Sequence, residues 1–343
     1  MLPINEMSNK IISISIAAYN IEKYVKHTLD SFIIPEIMDK LEVIVVNDGS
    51  KDSTSELAGI YSDKYPGTFK VVDKENGGYG STINVSSQIA SGKYFKTIDG
   101  DDWVDREGMI ALVHYLEKSD DDLVVTNFAR VSDKNGRMTE TIFDTLKYEV
   151  SMSFEEAYRG QELYMQGLAI KTELLKRLKL NITEHCFYTD IEYILTPVPY
   201  IRTISFLNQL VYMYRIAVNE QSMSVAGKKK HIDEQLKVFN KMLQYYEEQY
   251  NNLSEQKRTY FEVILSGMMK SHITAILSLN TNRSSFERLC EFENNTLKKN
   301  QCIFDVTNRF KVVKILRKSH YKLYWIGSMS YKVYQRLLSY IGR

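Results

Sequence analysis

The segment TIDGDDWVD, residues 97–105, sets Asp99, Asp101 and Asp102 within four positions, directly after the apolar-flanked run KYFKTI. Carboxylates so close raise one another's pKa unless a cation or hydrogen-bond donors compensate them. Oxygen-only ligands suit Mg2+ or Mn2+. Mg2+ in particular takes one or two carboxylates and fills its shell with water and substrate phosphate. A metal-bound diphosphate is therefore the chemistry to which the segment points. An EF-hand fails on spacing, because Val104 stands where its loop needs Gly and Ile110 where it needs Glu. Taken alone, the segment also reads as an acidic turn capping the helix REGMIALVHYL.

The surrounding elements decide where such a turn would sit. IISISIAAYN alternates, with Ile12, Ile14 and Ile16 on one face, and stops at Asn20; EKYVKHTLDSFI then carries Val25, Leu29 and Phe32 at helical spacing. LEVIVVNDGS is a continuous apolar run, as in a strand covered on both faces, and breaks at Asn47-Asp48-Gly49. SKDSTSELAGIYSDKY offers Asp52 or Ser53 as a helix cap and places Leu57, Ile60 and Tyr61 on one side. FKVVDKENGGYGS reads as strand and turn, STINVSSQIAS as helix, and KYFKTIDGDDW as strand again.

This alternation predicts an α/β fold with a mostly parallel sheet and right-handed crossovers. Ligands of such sheets bind outside the carboxyl ends of the strands. Asn20, Asp48, Glu75-Asn76-Gly77-Gly78 and Asp99 to Asp102 each follow a strand, so four loops should converge on one polar mouth. GGYGST is not a Walker loop, since no Gly-Lys-Ser/Thr follows, and Ile83 stands where a dinucleotide fingerprint counted from Gly78 wants Gly. The glycines alone also read as a turn.

These blocks together resemble the family 2 glycosyltransferases, inverting enzymes with the GT-A fold, over roughly residues 10–225. ISIAAYNIEKYVKHTLDS, EVIVVNDGSKDST, KENGGYGSTIN and ASGKYFKTIDGDDWVD match the family's nucleotide-sugar blocks in order and spacing. The resemblance implies that Ala17, Tyr19 and Glu22 line a nucleoside pocket in which Asp48 reads the uracil edge. Asn76 and the Gly77-Gly78 turn would border nucleoside and diphosphate. Asp99, Gly100 and Asp101 fit the family's Asp-x-Asp. Asp101 would be the more direct ligand of Mn2+ or Mg2+, with Asp99 beside it and Asp102 in support or on the donor sugar. The chain departs from the family in having Ala17-Ala18-Tyr19-Asn20 for Pro-x-Tyr-Asn and Asn47-Asp48-Gly49-Ser50 for Asp-Asp-Gly-Ser.

An inverting transfer needs a base for the acceptor hydroxyl, and a carboxylate can serve. Asp190, in KLNITEHCFYTDIEYIL, occupies the position resembling the family's Glu-Asp pair, with Thr189 in place of the Glu. It also reads as a helix N-cap, and Glu184, His185 and Glu192 are nearby competitors. In YMYRIAVNEQSMS, Arg215 and Gln221-Ser222-Met223-Ser224 resemble a segment that closes over the donor, and are candidates for diphosphate or acceptor contacts; a plain strand and loop is the alternative.

The 343 residues suit two units, with a GT-A catalytic domain expected over 1–227 and a helical region over 228–343 after the GKKK break. Ile232, Leu236, Phe239, Leu243 and Tyr246 form one apolar helix face, and the two stretches after it each carry a Ser near their start as a cap. This region should pack on the catalytic domain or form a homo-oligomer. Lys plus Arg, at 44, nearly balances Asp plus Glu, at 43, which argues against a nucleic-acid binder. The balance is uneven, because residues 311–343 hold eight Lys/Arg and no acid. That tail mixes its cations with Trp325, tyrosines and aliphatics, and so reads either as a segment lying on a membrane surface or as helices whose cations face water.

No signal-peptide pattern opens the chain and no apolar run could span a bilayer, so a cytoplasmic protein is expected, peripheral at the inner membrane face if the tail binds lipid. Cys186, Cys290 and Cys302 are widely spaced and suggest neither disulfides nor a zinc site. The function expected is metal-dependent transfer of a hexose or N-acetylhexosamine from a UDP-sugar to a hydroxyl of a glycan or lipid-linked glycan in bacterial capsule or surface polysaccharide synthesis. The alternative is a catalytically silent nucleotide-sugar-binding scaffold of a polysaccharide assembly complex. A nucleotidyltransferase would want a basic Gly-rich loop near the N-terminus, where the chain has AAYNIEKYV.

Overall fold

The computed structural model describes residues 10–216, apart from 144 and 146, and residues 225–341, and the chain forms two compact units, Met1–Val218 and Asn219–Arg343. The first unit opens with β1 (Ile12–Ala18), α1 (Val25–Asp30), β2 (Leu41–Asn47), α2 (Thr54–Lys64), β3 (Phe69–Asp73), α3 (Tyr79–Ile89) and β4 (Tyr94–Asp99). It continues through β5 (Trp103–Val104), α4 (Arg106–Lys118), β6 (Leu123–Ser132), β7 (Met138–Thr141), β8 (Met152–Ser153) and α5 (Phe154–Ala157). β9 (Leu168–Lys171), α6 (Thr172–Leu178), α7 (Asp190–Leu195) and β10 (Thr203–Ile216) complete it.

One sheet runs β3-β2-β1-β4-β9-β6-β10-β5, with β7 on β6 and β8 on β10. The first four strands are parallel, as the alternation of strand and helix predicts. The rest is mixed rather than mostly parallel, because β9 runs antiparallel to both β4 and β6. β10 is parallel to β6, so β4, β6 and β10 share one direction and end at the same edge. On β4, β9 pairs with Tyr94 and Phe95 and not with the residues from Lys96 to Asp99.

Apolar burial explains the elements. Ile12, Ile14, Ile16 and the run Val43–Val46 are fully buried, as expected for central strands covered on both faces. Val25, Leu29 and Phe32 pack inward from α1 and its exit. In α2 the inward face is Thr54, Ala58 and Tyr61, whereas Ile60 is 56% exposed, contrary to the helical spacing read from the sequence. Asp52 braces this helix start by accepting from the Thr54 N–H at 3.1 Å, while Ser53, the N-cap residue, makes no capping bond. Asp105, not the acidic turn before it, caps α4 through the Gly108 N–H at 2.8 Å.

The second unit is helical: α8 (Val225–Lys230), α9 (Ile232–Gln249), α10 (Glu255–Ser278), α11 (Arg283–Lys299), α12 (Gln301–Val306), α13 (Lys311–Lys318) and α14 (Tyr324–Ile341). The lysines read as a break thus lie in a short helix. α10 is central and meets α8, α9, α11, α12 and α14. Ile232, Phe239, Leu243 and Tyr246 of α9 are buried as their spacing predicts, and Leu236 is half-buried. Ser254 caps α10, but α11 is capped by Asn282, which accepts from the Ser285 N–H at 2.9 Å, rather than by a serine. Arg317 does not face water: it pairs with buried Glu293 at 2.7 Å and lies 3.5 Å from the Phe304 ring centre.

His272 of α10 is fully buried, with Nδ1 3.3 Å from Gln235 Oε1. Burial, aided by the Arg288 charge, pushes its pKa down to about 3. A depressed imidazole leaves the folded state unprotonated while the unfolded chain takes up a proton below about pH 6.5, so stability falls as pH drops through that window. The loss approaches about 1.4 kcal/mol per pH unit for one such group. The melting midpoint should therefore fall between about pH 7 and pH 5, and fall less in His272→Gln. An equal fall in both proteins would remove His272 as the cause.

Candidate active site

The loops after β1, β2 and β3 border an open cleft of about 610 Å3 lined by Tyr19, Asn47, Gly49, Lys51, Asp73, Lys74, Glu75 and Asn76. Tyr19 is 50% exposed and presents a ring there. Asn20, with φ of 53°, knits the first two loops together: its Oδ1 accepts from the Lys51 N–H at 2.8 Å, and its own N–H donates to Ser50 Oγ at 3.1 Å. Glu22 does the same, accepting from the Ser53 N–H at 3.1 Å.

Asp48 is buried and organises the third loop. Its carboxylate accepts from the N–H groups of Gly77 and Gly78, each at 2.8 Å, and from Lys74 Nζ at 2.7 Å. Asn76 Nδ2 donates to the Asp48 carbonyl at 2.9 Å. Asp48 thus holds the Gly77-Gly78 turn at the start of α3, while the exposed Asn76 and Tyr19 face the cleft.

The carboxylates after β4 divide in two directions. Asp102 is fully buried; its Oδ2 accepts from the Tyr212 hydroxyl at 2.6 Å and its Oδ1 from the Arg215 N–H at 2.6 Å. The same Tyr212 oxygen accepts from the Asp99 N–H at 3.0 Å. Arg215 Nε donates to the Asp101 carbonyl at 2.7 Å and Nη1 to Asp133 at 2.6 Å, with the guanidinium against the rings of Trp103 and Tyr24. Arg215 therefore clamps the acidic turn. Residues 221–224, the other candidates of that segment, lie outside the described residues.

Gly100 lets this turn approach β1, since a Cβ there would lie 2.5 Å from the Ala17 carbonyl oxygen. Ala17 is itself in register with Asp99. Asp99 Oδ1 is buried without a hydrogen-bond partner. Burial, followed by the charges of Asp101 and Asp190, pushes the Asp99 pKa up; burial also raises Asp101, against the pull of Arg215. Hard oxygen donors with one buried oxygen unsatisfied fit a divalent cation. Among the described residues no group of three or more His, Cys, Asp or Glu side chains could hold one alone, so its remaining ligands would be water and phosphate.

The segment before α7 is pinned to α3. Asn84 brackets Ile182, donating to its carbonyl at 2.9 Å and accepting from its N–H at 2.7 Å, and the His185 N–H donates to the Gly77 carbonyl at 2.5 Å. A Cβ on Gly80 would lie 2.4 Å from the Thr183 carbonyl oxygen, so only glycine admits this approach. The result brings Asp190 close enough to Asp99 and Tyr79 for its charge to raise both pKa values. Asp190 is the first residue of α7 and Thr189 its N-cap, so Asp190 is not the cap; burial raises its pKa. Of the competitors, Glu192 is buried and accepts from the Thr183 N–H at 2.8 Å, while Glu184 and His185 are exposed.

Residues 13–178 match the model of glycosyl transferase family 2. Residues 13–178 are a family 2 glycosyltransferase domain. This glycosyltransferase is 26% identical to EpsH of Bacillus subtilis (strain 168), named as a glycosyltransferase, over 97% of this chain and 98% of that one. It is 27% identical to glycosyltransferase GlyA of Streptococcus pneumoniae over 60% of this chain and 30% of that one. In fold it is similar to the crystal structure of S. aureus TarS 1–349 in complex with UDP-GlcNAc, with a TM-score of 0.63 at 19% identity over 94% of this chain and 91% of that one. The mixed sheet with flanking helices is the GT-A fold.

Sequence reasoning missed Lys74, Asn84, Lys96 and Tyr212. Lys96 is fully buried in β4, donates to the Gln166 carbonyl at 2.5 Å and lies 5.6 Å from the Tyr212 ring centre. A lysine inside an apolar strand was the available signal. Removing the hydroxyl in Tyr212→Phe leaves the buried Asp102 carboxylate and the Asp99 N–H each short of a partner, which should cost about 1–3 kcal/mol. Thermal or urea unfolding should show that loss together with reduced glycosyl transfer in this glycosyltransferase. Unchanged stability would mean that the turn does not depend on Tyr212.

Proposed function

We propose that this glycosyltransferase carries a hexose or N-acetylhexosamine from a UDP-sugar to a hydroxyl of a bacterial capsule or surface polysaccharide, with inversion at the anomeric carbon. The observation that carries the proposal is that Asp190, at the start of α7, lies near enough to Asp99, at the carboxyl end of β4, for its charge to raise the Asp99 pKa. A UDP-sugar donor is supported by the likeness in fold to TarS, which is crystallised with UDP-GlcNAc and with UDP.

In this reading residues 1–227 carry the chemistry and 228–343 form a helical region. The nucleoside lies in the cleft against Tyr19 and Asn76; Ala17 would border it from the end of β1, Glu22 braces the first loop on the Ser53 N–H, and Asp48 holds the Gly77-Gly78 turn that borders the diphosphate. Asp101 and Asp99 would hold Mn2+ or Mg2+, with Gly100 between them. Such a cation, when bound, neutralises the departing diphosphate. Asp102 acts from beneath, through Tyr212 and Arg215, to keep the turn in place.

Asp190 accepts the proton of the acceptor hydroxyl as that oxygen bonds to the anomeric carbon. The bond from that carbon to the diphosphate breaks on the opposite face and its electron pair leaves with UDP. A raised pKa makes Asp190 a better base than a carboxylate in water, because proton transfer is most efficient when the base titrates near the working pH. An acceptor carried on a lipid would bring the enzyme to the inner face of the cell membrane.

Asp190→Asn should bind UDP almost as the unaltered chain does and lose transfer by a factor on the order of 10² or more. Retained turnover would move the base to the exposed Glu184. A screen of UDP-sugars with Mn2+ should find release of UDP from a UDP-hexose or UDP-N-acetylhexosamine. Turnover of GDP-sugars alone would overturn the donor assignment.

A further inference from the structure

The C-terminal helix is docked by one face and bare on another. Tyr324 and Ser328 are fully buried, and the Ser328 hydroxyl donates to the Leu277 carbonyl at 2.8 Å, which fixes the rotation of α14 against α10. On the outer side Trp325, Ile326, Met329 and Val333 are 43%, 63%, 64% and 56% exposed. At 3.6 residues per turn these four positions fall within an arc of about 100°. Trp325 is held out by the rings of Phe286 and Tyr324, with centres 6.1 and 5.2 Å away.

Cations precede this helix in the chain. Lys311, Lys314 and Lys318 of α13 are exposed around Ile315, and Lys322, also exposed, precedes α14. No acidic residue occurs from 311 to 343. We propose that this face of α14, with the lysines of α13, docks on an anionic membrane surface. Charge decides between occupants. A second copy meeting the same face would set the lysines of one α13 against those of the other, and residues 311–343 hold no acid to offset them, whereas anionic headgroups meet the lysines while tryptophan and aliphatic side chains enter the interface. Among the described residues no helix is long and apolar enough to cross a membrane, so the contact is one of lying on the surface. The proposal extends the reading of a lipid-borne acceptor but does not depend on which sugar is donated.

Co-sedimentation of the full chain with phosphatidylcholine vesicles, with and without phosphatidylglycerol, tests it. Binding should appear with the anionic vesicles at low salt and fall steeply at high salt, because exposed charges are screened beyond about 10 Å near 0.1 M. The double variant Trp325→Ser, Met329→Ser should lose binding at least tenfold, and the triple variant Lys311→Glu, Lys314→Glu, Lys318→Glu likewise. Both variants should keep the UDP affinity of the unaltered chain, which separates failure of the membrane proposal from failure of the donor assignment. No binding to anionic vesicles at low salt, or undiminished binding by the double variant, would overturn the proposal. So would a dimer in solution that the double variant converts to monomer, which would make the face a subunit contact.

Discussion

The site depends on one buried carboxylate. Asp102 sits beneath the acidic turn with both oxygens committed, one to the Tyr212 hydroxyl and one to the Arg215 N–H. A buried carboxylate left without donors would be strongly destabilising, so the turn keeps its shape only while β10 supplies them. That requirement explains the sheet. β10 must end at the same edge as β4, and the pairing of β4 with the short antiparallel β9 must stop at Phe95 so that Tyr212 can reach the Asp99 N–H. With Asp102 satisfied from below, Asp99 and Asp101 are left crowded and half-buried, where a cation and a diphosphate would relieve them.

The second support is the close fit of the 180–189 segment on the start of α3. Asp48 draws Gly77 and Gly78 inward, Gly80 admits the Thr183 carbonyl, and Asn84 clamps Ile182 from both sides. Asp190, which follows that segment, then comes near enough to Asp99, far earlier in the chain, for its charge to raise the Asp99 pKa. The glycines of GGYG thus place the proposed base as much as they border a ligand.

Much of this was legible in the sequence, and the illegible part has a physical pattern. β2 announces itself as a continuous apolar run, as a strand buried on both faces must, β1 as an alternation of isoleucine and serine, and β3 and β4 as shorter stretches that end in polar turns. β5 and β9 span two and four residues, too few to show a period, so the mixed half of the sheet stayed hidden. The fate of Asp102 and Arg215 was equally invisible, since their partnership is fixed by contacts across 113 residues of chain rather than by local pattern. Arg215 looked free to meet a diphosphate; its guanidinium is instead engaged with Asp133 and the Asp101 carbonyl. Ile60 failed for the opposite reason, because periodicity nominates a face without saying which residue the fold covers. In the tail, composition showed the cations and aromatics, but only packing separated the buried Arg317 from the lysines that remain exposed.

The claim on which the account turns is that Asp99 and Asp101 hold a divalent cation together with the nucleotide. Calorimetry of UDP binding, in Mn2+ and in EDTA, on the unaltered chain and on Asp101→Asn, measures this most directly. Binding should be tighter in Mn2+ for the unaltered chain, and Asp101→Asn should lose that gain with its melting temperature preserved. Equal UDP affinity with Mn2+ and with EDTA would contradict it.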